Sequence, residues 1–109
     1  MSRIAHLFFD INMSSQHDGL NAILDKAVGS DELPAGDVAL FINKKWTKLK
    51  ILTADNTLIY LRRDEGINPE TIRHIPNCIE GKDLNYGKAL ETAVKQRHLG
   101  LRPAKRKAK

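Results

Sequence analysis

The most strand-like segment is VALFINKKWTKLKILTADNTLIYLRR, residues 38–63, where apolar and polar residues alternate over 48–51 and 59–62 with the two-residue period of a pleated strand. The run divides into three strands at about 38–43, 48–53 and 57–62. Asp55 and Asn56 fall in the tight turn between the last two, where the backbone needs residues tolerant of positive φ. In this alternation Leu49 and Ile51 share a face with Ile59 and Leu61, and Lys48, Lys50, Tyr60 and Arg62 take the other. Leu52 and Leu58 fall on that basic side and make it only partly wet. For 38–43 two registers are open, one turning Leu40 and Ile42 to the core face and the other Phe41.

The segments on either side predict a further strand and helices. Ile4 to Ile11 is short, apolar and rich in aromatic and branched residues, a first strand with Asp10 near its end. Residues 16–29 carry Leu20, Ile23, Leu24 and Ala27 or Val28 at helical spacing, giving one apolar stripe. Ser14 or Ser15 is placed to cap that helix, Asp18 sits in its first turn and Gly29 stops it. Its stripe is the expected cover for Leu49, Ile51, Ile59 and Leu61. After the loop SDELPAGD and the three strands, Asn68 and Pro69 open a second helix, cap followed by proline, which Pro76 is expected to cut short. From Lys82 to about His98 a last helical segment carries Tyr86, Leu90, Ala93, Val94 and Arg97, to pack on the domain or on a second copy. The fold class is therefore α+β: a small antiparallel β-sheet with hairpins, packed against helices, plus a C-terminal helix. Residues 1–98 form the single compact domain and 99–109 a basic flexible tail.

Composition agrees with a folded domain, with 41% hydrophobic and 28% charged residues in 109. Cys78 is the single cysteine, so no intrachain disulfide forms, which suits a reducing compartment. No secretory signal is visible at the start, and the apolar runs are far shorter than a membrane span. The expected location is the cytoplasm, with no membrane partner.

Charge changes the picture more than composition does. The net charge is +5, but residues 97–109 hold six cations and no acid, which leaves the other 96 residues at −1. Within that body, residues 44–63 hold Lys44, Lys45, Lys48, Lys50, Arg62 and Arg63 against Asp55 alone. Each basic region can attract a polyanion by phosphate neutralisation. Lys48, Lys50 and Arg62 on one sheet face are candidates for phosphate contacts, with Tyr60 available to a base or sugar. Lys44, Lys45 and Trp46 extend that surface at the hairpin end, Arg63 adjoins it, and Arg102, Lys105, Arg106 and Lys107 supply a nonspecific arm. The plainer reading is a solvated face whose lysines discourage edge pairing, with Trp46 covering the core edge.

Asp18-Gly19-Leu20 opening a helix, followed by the strand run above, resembles the small second-reading-frame protein of insertion-sequence-66-type transposable elements. Leu40, Phe41, Ile42 and Asn43 match that family's first strand, Lys44 and Lys45 its basic turn, and Leu49, Lys50, Ile51 and Leu52 its central strand. Asp55 matches the aspartate that follows, Leu61 an apolar position, and Arg62 and Arg63 a closing basic pair. The chain departs from the family at Gln16, His17 and Ala54, where the family carries arginine, lysine and tryptophan. The resemblance spans roughly residues 5–67. It implies an accessory role in transposition beside a separate transposase, with no catalytic residue, cofactor or metal to carry over; the partners open to the chain are DNA, the transposase or another element-encoded protein, and a second copy.

The residues by themselves predict no enzyme. Asp10, Asp18 and Asp55, with His6 or His17 nearby, could meet around a divalent ion only through tertiary folding, and each aspartate has a structural role at hand. His74 and Cys78 are separated by Pro76 and have no oriented base or further ligands. No glycine-rich phosphate loop is present. The competing class is a structural or protein-interaction module without direct DNA contact. Its expected apolar patch is Leu52, Leu58 and Trp46, or Leu90 and Val94.

Overall fold

A computed structural model of the chain describes residues 3–12, 17–30, 32–81, 84–92 and 95. Its elements follow the order β1 (Ala5–Phe8), α1 (His17–Val28), β2 (Val38–Ile42), β3 (Lys48–Thr53), β4 (Leu58–Arg62) and α2 (Pro69–Glu80), and a short helical segment, α3, follows over 87–92. The fold is α+β. Strands β2, β3 and β4 make the expected antiparallel meander, and β1 adds to β2 in parallel, so the four-stranded sheet is mixed and ordered β1-β2-β3-β4.

Residues Val38 to Ile42 are all fully buried. Successive side chains of a strand point to opposite faces, so both faces of β2 are covered. Both registers left open by the sequence are thereby occupied at once. Val38, Leu40 and Ile42 join Leu49 and Ile51 in one core, while Ala39 and Phe41 join Leu52 in another.

The two cores are closed by different helices. Leu49, Ile51, Ile59 and Leu61 share a face as the alternation predicts, but α1 does not cover it. Ile72 and Ile75 of α2, with Leu84, Tyr86 and Leu90 from the chain after it, pack there. Helix α1 lies on the other side, where Leu20, Leu24 and Ile23 meet Phe41, Leu52 and Leu58. The physical reason is connectivity: α1 joins two parallel neighbours, and such a crossover helix must lie over a sheet face. Ala27 and Val28 end the stripe exposed, and the cap expected at Ser14 or Ser15 lies outside the described residues.

Local signals place most boundaries. Gly29, at φ 83°, follows α1 and its N–H donates to the Asp25 carbonyl at 2.7 Å. Asn68 caps α2 by accepting from the Thr71 N–H at 2.9 Å, with Pro69 in the first turn. Pro76 does not stop α2, contrary to the sequence expectation, and the helix runs on to Glu80. A mid-helix proline costs about 3 kcal/mol; here it deletes only the bond to the Ile72 carbonyl, and the side chains of Ile72 and Ile75, packed on the sheet, offset it. His74 and Cys78 thus share one continuous helix, although the Cys78 side chain is outside the described residues. The same holds for Ala93, Val94, Arg97 and the tail from 99 to 109.

Strand β1 is tied in by a buried carboxylate. Asp37, only 1% exposed, accepts from the Ile4 N–H at 2.9 Å, and its second oxygen lies 3.0 Å from His6 Nε2. Its burial is therefore satisfied by hydrogen bonding. On the far side of the sheet, the Tyr86 hydroxyl lies 2.9 Å from both the Arg73 carbonyl and Asn77 Oδ1, joining the last segment to α2. Burial pushes its pKa up to about 12.

Trp46 takes the place that the plainer reading gives it, against the core, and not one on the basic face. It is 8% exposed, lies in the core cluster with Leu49 and Ile67, and stacks on Phe9 at 5.7 Å between ring centroids. It is neither an exposed stacking platform nor part of an apolar surface patch. Its backbone adopts φ 57°, a left-handed conformation rare for a bulky residue. The turn imposing it is held by Asn43, whose Oδ1 accepts from the N–H groups of Thr47 and Lys48 at 2.9 Å each. Trp46→Ala is expected to cost about 3–5 kcal/mol in chemical denaturation. Trp46→Gly should be the more stable of the two variants by about 1 kcal/mol, because glycine removes the left-handed strain. A loss within about 0.5 kcal/mol, as at an ordinary surface position, would show that the indole is not holding this core.

Candidate functional site

The sheet has two edges, and they are unequal. Outside β1, the Ala5 N–H donates to the Asn85 carbonyl at 2.9 Å and the Asn85 N–H to the Arg3 carbonyl at 2.8 Å, so the chain after α2 covers part of that edge. Strand β4 is last in the order on the other side, and among the described residues no further strand pairs with it.

The ladder determines which backbone groups β4 presents. At one end of the β3–β4 hairpin the Arg63 N–H donates to the Thr47 carbonyl at 2.8 Å, and at the other the Thr53 N–H donates to the Thr57 carbonyl at 3.0 Å. In an antiparallel pair, residues alternate between facing the partner strand and facing away. With Lys48 opposite Arg62 and Lys50 opposite Tyr60, Ile59 and Leu61 bond inward. Leu58, Tyr60 and Arg62 therefore turn their N–H and C=O groups outward, a row spaced to accept another strand.

The turn that presents this strand is firmly built. Asn56 takes φ 68°, the positive-φ role the sequence predicts for it, and its N–H donates to the Thr53 carbonyl at 3.0 Å. Asp55 accepts from the Thr53 hydroxyl and from the Thr57 N–H. The Thr53 bond first, and then those from Thr57, hold its carboxyl below the usual range. Asp55 is thus occupied as a turn former.

Side chains of the outward row share one face with Lys48 and Lys50. Tyr60 is 51% exposed, whereas Lys50 is only 9% exposed and its ammonium lies 5.7 Å from the centre of the Tyr60 ring. Lys48 stands directly opposite Arg62, and two cations at such a position repel. Arg62 answers by turning to Asp64, Nε to Oδ1 2.9 Å, an exposed pair whose hydrogen bond also raises the guanidinium's pKa. Beside the start of β3 a groove of about 590 Å³ opens, lined by Asn12, Asn43, Lys44, Lys45, Lys48 and Tyr60 among others.

The predicted binding residues thus separate. Lys44, Lys45, Lys48, Tyr60 and Arg62 come together on one face, and Arg63 is exposed just past it. Trp46 and Lys50 are withdrawn, into the core and onto the Tyr60 ring respectively. Arg102, Lys105, Arg106 and Lys107 lie outside the described residues. Leu52 and Leu90 are buried, so neither forms the expected apolar patch. No set of three or more metal-ligating side chains gathers among the described residues, and His6 is engaged with Asp37 rather than with Asp10 or Asp55. Among the described residues no helix is long and apolar enough to cross a membrane. Sequence reasoning missed the outward row, which needs strand order as well as alternation to be seen.

No protein-family model, curated protein or solved structure matches the chain. The description of the chain as an insertion-sequence, transposition-accessory, DNA-binding or cytoplasmic protein is corrected accordingly, since none of those terms finds a relative to support it.

The backbone assignment predicts an exchange pattern in the free protein. The amides of Ile59, Leu61 and Arg63 should exchange slowly, and those of Leu58, Tyr60 and Arg62 at close to unprotected rates, read by hydrogen exchange with NMR detection. Equal protection of both sets would mean that the β4 edge is covered.

Proposed function

We propose that this chain is a noncatalytic protein-interaction module that adds an extended segment of another protein to its sheet, as a fifth strand beside β4. The observation that carries this reading is the row of outward backbone groups at Leu58, Tyr60 and Arg62 on an edge strand. Strand addition of this kind draws affinity from main-chain hydrogen bonds and selectivity from alternate side chains. Two features of β4 support it. The strand lacks proline, and its rigid partner β3 fixes the register, so the row is ordered before a partner arrives. By contrast, the outer edge of β1 is partly occupied by Asn85.

The test is an acetylated heptapeptide of alternating threonine and valine, added at millimolar concentration to the labelled protein. Exchange of the Leu58, Tyr60 and Arg62 amides is expected to slow several-fold, while the other β4 amides hold their rates. Tyr60→Pro removes one outward N–H without touching the β3 ladder, as edge strands tolerate. It should fold, by circular dichroism, and lose the protection. Exchange rates unchanged by peptide, or peptide binding undiminished in Tyr60→Pro, would contradict the proposal.

A further inference from the structure

We infer that the strand accepted at β4 is acidic on alternate residues and apolar on those between, a pattern of Asp or Glu alternating with Val or Ile. This rests on the strand-addition reading and adds the chemistry of the partner. A fifth strand hydrogen-bonded to Leu58, Tyr60 and Arg62 places every second side chain on their face of the sheet and the remainder on the face of Ile59 and Leu61. The two faces differ sharply.

On the Tyr60 face, Lys44, Lys45 and Lys48 form no ion pair among the described residues. They line one groove. Lys48 lies on the strand next to β4, so its backbone is about 9–10 Å from that of an added strand, two strand spacings away. That separation is within the joint reach of a lysine and a glutamate side chain. An incoming carboxylate there also relieves the repulsion between Lys48 and Arg62, which stand opposite each other. On the other face Ile59 and Leu61 are partly buried members of the main core, and a branched apolar residue beside them extends that core outward.

Charge also separates this partner from the alternatives. A second copy pairing β4 antiparallel with β4 about a twofold axis brings two basic sets onto one face of a continuous sheet, where like charges repel. The chain's own residues 97–109 hold six cations and no acid, so they bring no counter-charge. An acidic strand neutralises the face.

The test compares three heptapeptides in which valine alternates with glutamate, threonine or lysine. Amide exchange at Leu58, Tyr60 and Arg62 reports where each sits, and titration reports how tightly. The glutamate peptide is expected to bind at least about tenfold more tightly than the threonine peptide, as a few exposed charge pairs allow. It should lose that advantage as salt is raised. The lysine peptide should be weakest, and Lys44→Glu with Lys48→Glu should invert the order. N-methylation of the glutamate peptide at alternate amides should abolish binding in one phase of the alternation and spare it in the other. Equal affinity of the three peptides, with the edge amides still protected, overturns the acidic pattern and leaves strand addition standing. Failure of every peptide to protect those amides overturns both. Two further results overturn the inference: protection of the edge amides in the protein alone with a doubled solution mass, which assigns the edge to a second copy, and a single-stranded oligonucleotide that perturbs Lys44 and Lys48 more strongly than the glutamate peptide without slowing edge exchange.

Discussion

Every side chain of Val38–Ile42 is withdrawn from water, so this five-residue strand requires cover on two faces and hydrogen bonds along two edges. The rest of the molecule supplies them. Parallel β1 and antiparallel β3 take the two edges, α1 takes one face, and α2 with the segment after it takes the other. Burying one such aliphatic side chain is worth about 1.5–3 kcal/mol, and β2 places five apolar residues where two layers meet. A domain of this size has little apolar surface left with which to cover its periphery. Strand β4 bears that consequence, with side chains half-buried or exposed where β2 has none in contact with water.

Two-sided cover also explains how a basic face survives next to a core. Helix α1 shields the sheet at Phe41, Leu52 and Leu58 and leaves the far end of the same face to Lys48, Tyr60 and Arg62. The cations there are arranged rather than scattered. Lys50 lies against the Tyr60 ring, Arg62 against Asp64, and Lys44, Lys45 and Lys48 around a groove. An outward row of peptide groups borders that face, so the place that can accept a strand and the place that can attract carboxylates coincide.

Much of the local structure was legible in the sequence. Alternation located β3 to the residue and β2 and β4 within one, and it separated the Leu49 and Ile51 face from that of Lys48 and Lys50. The Asn68–Pro69 opening, the Gly29 stop and the positive φ at Asn56 follow from backbone stereochemistry that single residues announce. What alternation cannot say is what covers each face, since a period of two records sidedness and no more. The unbroken apolar run from Val38 to Ile42 did signal burial on both faces. Read that way, it would have assigned α1 and α2 to opposite sides. For Trp46 the residues alone left core cover and a surface contact both open: two lysines precede it, and the turn built by Asn43 carries its ring into the core. The cost of Pro76 was likewise judged without the packing of Ile72 and Ile75 that offsets it. The outward row at β4 depends on strand order, which pairs residues far apart in the chain.

The central claim is that β4 is an edge poised to take a fifth, acidic strand. An isotope-filtered NOE spectrum of the labelled protein with the unlabelled glutamate–valine heptapeptide tests it most directly. The account predicts interstrand contacts from the peptide backbone to Leu58, Tyr60 and Arg62, with valine methyl groups near Ile59 and Leu61. Contacts confined to α1, to α2 or to the face of the sheet, with none along the β4 backbone, would contradict it.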